Sequence, residues 1–132
     1  MEPLMEITMG DMLDETARKF PNNDAVVYTD RPYRRTYAEF AAETDLVARG
    51  LMALGIKRGD KVAIWATNHQ QWLINMYATA KIGAIMVTVN TSYKRFELEY
   101  LLRQSDSGTL IVMDGYRDVS YIDIIYEINP EL

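Results

Sequence analysis

Few residues of this chain have both the type and the spacing to do chemistry. Gly50 and Gly55 match the first half of a phosphate-binding G-x-x-x-x-G-K-[ST] loop. Ile56 stands where the lysine is needed, Lys57 comes one place too late, and no Ser or Thr follows. The segment also precedes an apolar strand. A phosphate site on a parallel sheet needs its glycines just after a strand, where backbone N–H groups at a helix start converge on the anion. Helix punctuation accounts for both glycines instead. Asp114-Gly115 follows another apolar strand at its carboxyl end, where α/β sheets place ligands. A carboxylate there would meet a ribose or Mg²⁺, but Asp-Gly is also a strong turn pair, and the turn is the preferred reading. Asn68-His69 sits at a second strand-to-helix junction and reads as a helix cap in preference to a general base. His69 is the only histidine and cysteine is absent. That excludes disulfides, thiolate or histidine-rich metal sites and cysteine nucleophiles, and any Ser-His-Asp triad would have to use His69. No two carboxylates stand out as an acid/base couple.

The elements that would position these residues are legible from periodicity and punctuation. Thr8, with Asp11 three places on, predicts a helix start. Met5, Met9, Met12, Leu13 and Phe20 then fall near one face, ending at Pro21-Asn22-Asn23. That face would suit a groove or a membrane surface, and packing against a further part of the protein is the preferred reading. Ala25 to Tyr28 and Tyr33 to Thr36 read as a small β-hairpin around Thr29-Asp30-Arg31-Pro32. Thr36 and Glu39 form a capping box. The helix after it places Tyr37, Phe40, Val47, Leu51 and Leu54 on one stripe, with Asp45 spaced to pair with Arg49. Gly55 is its expected left-handed stop.

Val62 to Ala66 has no polar alternation, as in a strand buried on both faces. Asn68 and Gln71 repeat the capping logic before a stripe of Trp72, Leu73, Met76, Tyr77 and Ala80. Further apolar strands follow at Ile85 to Val89 and Leu110 to Met113. They are separated by a helix carrying Phe96, Leu98, Leu101 and Leu102, and a last helix runs from Ser120 to Ile128 before Pro130. These three buried strands begin about 23 residues apart and alternate with helices, a spacing that implies right-handed crossovers in a parallel sheet.

Composition narrows the function classes. The 132 residues suffice for one domain that buries roughly two thirds of its surface. Apolar content of 48% and charged content of 25% are those of a globular protein. A net charge of −5 argues against nucleic acid or an anionic membrane as a partner. The pairs Arg34-Arg35, Lys57-Arg58 and Lys94-Arg95 are short and scattered, as in solvated turns and helix starts. The residues around Glu2 and Glu6 lack a basic-then-apolar leader pattern, and the apolar run near Ile82 to Val89 is too short to span a bilayer. A cytoplasmic location is expected.

Taken in order, several segments carry a resemblance. They are Phe20-Pro21 with Ala25, Arg35-Thr36-Tyr37 with Glu39-Phe40, Ala48, Gly50-Leu51 and Leu54-Gly55-Ile56. Next come Gly59-Asp60-Lys61-Val62-Ala63, Asn68, Ala80-Lys81-Ile82-Gly83-Ala84, Asn90, and Glu97-Leu98-Glu99-Tyr100 with Leu102 and Ser105. This set resembles the N-terminal portion of AMP-forming acyl-CoA synthetases, within the adenylate-forming superfamily. Thr88 departs from the proline such enzymes often carry before the Asn. Asn90 to Lys94 is more similar to fatty-acid or related carboxylate:CoA ligases than to amino-acid adenylation domains.

The resemblance implies an α/β fold, a parallel sheet with helices on both faces and a small N-terminal β-hairpin, forming part of the large N-terminal domain. It implies that residues 1–132 form a single unit, with the rest of the enzyme absent. It implies a parent that uses ATP, Mg²⁺ and CoA to convert a carboxylic acid, by preference a fatty acid, to acyl-adenylate and then acyl-CoA. The residues such enzymes use lie downstream, so no catalytic, cofactor-binding or metal-binding residue is assigned here. The isolated chain is expected to be inactive, to bind no cofactor and to self-associate through exposed apolar surface. The alternatives are a self-contained nucleotide-binding domain using Asp114 and Asn68-His69, and a non-enzymatic interaction module.

Overall fold

A computed structural model describes residues 4–132; Glu2 of the leader reading lies outside the described residues. The chain runs α1 (Met9–Lys19), β1 (Asp24–Val27), β2 (Arg34–Thr36), α2 (Tyr37–Ala53), β3 (Lys61–Trp65) and α3 (Gln70–Lys81). It continues through β4 (Ile85–Thr88), α4 (Arg95–Ser105), β5 (Thr109–Val112), β6 (Gly115–Tyr116), β7 (Val119–Ser120) and α5 (Tyr121–Ile128). Local chemistry sets the helix ends. Thr8 accepts the Asp11 N–H through its hydroxyl, and Ser120 does the same for Asp123. The Thr36–Glu39 capping box is present in both directions. At the far end of α2, Gly55 adopts φ +91°, with its N–H on the Met52 carbonyl and the Ile56 N–H on the Leu51 carbonyl. That is a Schellman stop, which a residue with Cβ would strain.

The main sheet is parallel with strand order β4-β3-β5. The order reverses after β4, so crossovers of one handedness place α3 and α4 on opposite faces. Alternate side chains of β3 accordingly enter two cores. Val62 meets Ala48, Leu51, Ile56 and Ala78 from α2 to α3. Ala63 and Trp65 meet Val89, Leu98 and Tyr121 on the other side. A third cluster, Leu13, Phe40, Ala41 and Ile74, joins α1 to α2 and α3. Each fully buried aliphatic or aromatic side chain contributes about 1.5–3 kcal/mol.

Lys81 fastens these three helices. Its ammonium reaches Asp14 of α1 at 2.6 Å and also Asp45 of α2, with the lysine side chain only 9% exposed. Gly10 of α1 lets that helix lie against the Lys81 backbone, where an added Cβ would meet the Lys81 Cα at 3.1 Å. Burial alone would lower the Lys81 pKa. The hydrogen bonds it donates to Asp14 and Asp45 outweigh it and raise the pKa above the ordinary lysine value. The hairpin β1–β2 is pinned to α2 by Glu43, which accepts from the Tyr33 hydroxyl at 2.7 Å and from Arg35.

Four expectations are corrected. Asp45 does not pair with the Arg49 charge. Its carboxylate goes to Lys81, and Arg49 Nε bonds only the Asp45 backbone carbonyl. Leu54 leaves the buried stripe because it caps the helix at its solvent end, 79% exposed. Of the apolar set predicted around α1, Met5, Met9, Met12 and Phe20 are exposed and Leu13 is buried, because α1 meets the domain through Gly10, Leu13 and Ala17. Of the three apolar strands only β3 is buried on both faces, since β4 and β5 are the edges of a three-stranded sheet. Asp114-Gly115 is not the turn. Gly115 opens a two-residue hairpin strand, and the turn falls at Arg117-Asp118, where Arg117 takes φ +56°.

Candidate functional site

The carboxyl ends of the strands are where this sheet could hold a ligand, above all between β3 and β5, where the strand order reverses. The structure brings both sequence-level junctions to that place. Thr67, at the exit of β3, donates its backbone N–H to the Met113 sulfur at 3.3 Å and its hydroxyl to the same atom at 3.5 Å. The Met113 N–H in turn reaches the Trp65 carbonyl. The turn Thr67–His69 and the segment Met113–Asp114 are therefore neighbours. Between them lies a crevice of about 300 Å³, lined by Ile64, Ala66, His69, Trp72, Asn75 and Met113 among others.

Its polar groups do not form an anion or metal site. The helix cap is His69, not Asn68, and its side chain caps nothing; Nδ1 lies 2.8 Å from Gln71 Oε1. Asn75 is buried and donates Nδ2 to the Gln71 carbonyl. Among the described residues no lysine, arginine or carboxylate lines the crevice. The Thr67 backbone N–H and hydroxyl are both consumed by Met113. No group of three or more His, Cys, Asp or Glu among the described residues converges on one point. The residues at the switch point thus do not fit a nucleotide phosphate or Mg²⁺.

The opposite side of the same edge is locked. Trp65 and Tyr121 are fully buried and stack with ring centroids 3.6 Å apart and planes 10° from parallel. The Trp65 indole donates to the Asn90 carbonyl at 3.1 Å and the Tyr121 hydroxyl to the Thr91 carbonyl at 2.7 Å. Burial, with a smaller contribution from Tyr116, raises the Tyr121 pKa, so the phenol stays a donor. The Asn90 side chain accepts the Ser92 N–H, closing the loop before α4. Sequence reasoning placed Trp65 only within the buried strand Val62 to Ala66 and gave Tyr121 no role. The pairing joins residues distant in the chain, and no local pattern announces it.

Known proteins supply the wider frame. Residues 13–131 match the family model described as AMP-binding enzyme. YngI of Bacillus subtilis (strain 168) is 53% identical over 132 residues, covering the whole of this chain and 24% of that protein. The mitochondrial medium-chain acyl-CoA ligase ACSF2 of Mus musculus is 35% identical over 129 residues, 98% of this chain and 21% of the ligase. Among solved structures, the inhibitor-bound N-terminal domain of FACL13 from Mycobacterium tuberculosis superposes with TM-score 0.77 at 34% identity, over 80% of this chain and 26% of that one. The anthranilate CoA ligase AuaEII with anthranoyl-AMP gives 0.80 at 27% identity, over 98% of this chain and 23% of that one. The chain spans about a quarter of the length of the curated relatives it matches. With its three-stranded parallel sheet, helices on both faces and N-terminal hairpin matching these domains, the chain belongs to the AMP-binding enzyme family.

Proposed function

We propose that this chain is the N-terminal portion of the adenylate-forming domain of an ATP-dependent acyl-CoA synthetase. The parent enzyme joins a carboxylic acid, by preference a fatty acid, to the α-phosphate of ATP and then passes the acyl group to CoA. In this reading residues 1–132 are one structural unit, the remainder of the parent is their first partner, and the enzyme works in the cytoplasm. Among the described residues no helix is long and apolar enough to cross a membrane. The observation that carries the reading is the family match over residues 13–131 together with 53% identity to the Bacillus subtilis relative along the whole chain.

The chain's own part is positional. Attack of a carboxylate on ATP brings anion to anion and needs cations and preorganised donors. The switch point offers neither, with Thr67 turned onto Met113. No step of the reaction is therefore routed through these residues. They hold a sheet against which the chemical parts are built, and the isolated chain is inactive.

The test is a chimera in which this chain replaces the matching quarter of the Bacillus subtilis relative. Its acid-dependent exchange of pyrophosphate into ATP is compared with that of the unmodified relative. The proposal expects exchange within about tenfold of the relative's. A folded chimera with no exchange, beside a relative that shows it, would contradict the proposal.

A further inference from the structure

The main sheet ends at β4 on one side and at β5 on the other, and neither outer edge has a strand partner among the described residues. The crossovers tell the two edges apart. α4 carries the chain from β4 past β3 to β5, on the face of Trp65, Leu98 and Tyr121. α5 packs on that same face through Ile124, Ile125 and Ile128. Right-handed crossovers with their helices on one face move the same way across the sheet. A strand that follows α5 therefore lands outside β5, not at β4. α5 also spans the sheet. It starts beside Asp114, whose carbonyl accepts the Tyr121 N–H, at the carboxyl end of β5. Its far end, with Asn129 and Leu132, lies beside Gly108 and Thr109, where β5 begins. A strand entered from there runs parallel to β5.

The edge it meets is ready for one. The Met113 N–H bonds the Trp65 carbonyl inside the sheet, so by alternation the N–H groups of Leu110 and Val112 point outward. Their side chains turn under α5, where with Ile125 and Ile128 they line a trough of about 520 Å³. No charged side chain lines it among the described residues. Leu110 to Met113 is also apolar on both faces, the pattern of a strand with neighbours on both sides, yet β5 has one neighbour. We infer that in the longer enzyme proposed above, on which reading this rests, the segment after Leu132 is an apolar strand that pairs parallel to β5 and closes the trough. The outward amides call for a backbone partner, the uncharged trough for an apolar one, and the α5 crossover sets its direction.

Hydrogen exchange read by mass spectrometry tests this. It compares the 132-residue chain, at low micromolar concentration, with the chimera that joins it to the rest of the Bacillus subtilis relative. The Leu110 and Val112 amides are expected to exchange freely in the isolated chain and about a hundredfold more slowly in the chimera. The Ala63 and Trp65 amides of β3, protected in both, show that each is folded. Equally fast exchange at Leu110 and Val112 in both proteins would overturn the inference. If the chimera does not fold, the matching positions of the unmodified relative decide, and free exchange there overturns it equally. No substrate is present, so the result is separate from pyrophosphate exchange. A chimera that exchanges pyrophosphate with this edge unprotected refutes the strand and keeps the proposed function. A protected edge without pyrophosphate exchange does the reverse.

Discussion

Lys81 carries its charge into a nearly closed space between α1, α2 and α3, and two aspartates meet it there. Replacing it with methionine keeps most of the stem but leaves Asp14 and Asp45 facing each other without a cation. A loss of about 2 kcal/mol in urea unfolding is expected, the scale of hydrogen bonds to charged groups. The sign with pH follows from the raised pKa. Stability from this group is fully present below the unfolded lysine value, near 10.4, and fades as pH rises through the higher folded value. Wild-type stability should therefore fall in alkaline solution more steeply than that of Lys81→Met, a difference readable from unfolding midpoints between about pH 9 and 12. Tyr33 acts in the same direction. Burial first, and then its bond to Glu43, push its pKa up, so deprotonation opposes the native hairpin. The sequence made Lys81 visible only as part of a motif. Its two partners are far away in the chain, and the closer-spaced Asp45–Arg49 pairing was therefore preferred and was wrong. The Thr36–Glu39 box was legible because all its atoms lie within one turn.

At the level of elements, every main helix and strand falls where periodicity places it, and the stop at Gly55 and caps at Thr8, Thr36 and Ser120 follow from local chemistry. What periodicity missed is β6–β7, two residues a side and too short to show a pattern. Gly115 is the position on which that hairpin depends. A Cβ there would lie 2.4 Å from the Val119 carbonyl oxygen, a backbone atom that cannot step aside. Gly115→Ala should cost about 1–3 kcal/mol, the range for forced overpacking, and should broaden or shift the Tyr116 and Val119 NMR signals first. An unchanged hairpin in that variant would show that the backbone relaxes there. Burial of β4 and β5 was over-read for a related reason. A continuous apolar run announces a strand with neighbours, but not whether those neighbours lie within the same 132 residues. The switch-point crevice was half legible. Asp114 and Asn68-His69 were flagged by their place after strands, whereas the contact of Thr67 with Met113, which decides the chemistry, is a tertiary fact.

At the scale of the molecule, the outer edge of β5 has no strand partner among the described residues, and beside it Leu102, Leu110, Val112, Ile125 and Ile128 line an open apolar trough of about 520 Å³. On α5 the side chains of Ile122 and Tyr126 reach solvent. An unpaired apolar edge of this kind templates association. The isolated chain should therefore show a rising apparent mass in light scattering as concentration increases from micromolar to millimolar. Adding a charge to the trough, as in Val112→Lys, should suppress that rise. A strictly constant monomer mass would count against it. The central claim is that this member of the AMP-binding enzyme family supplies scaffold and not chemistry, and calorimetry of the 132-residue chain with Mg·ATP tests it most directly. The account predicts no saturable heat at micromolar nucleotide. A saturable isotherm with micromolar affinity would contradict it.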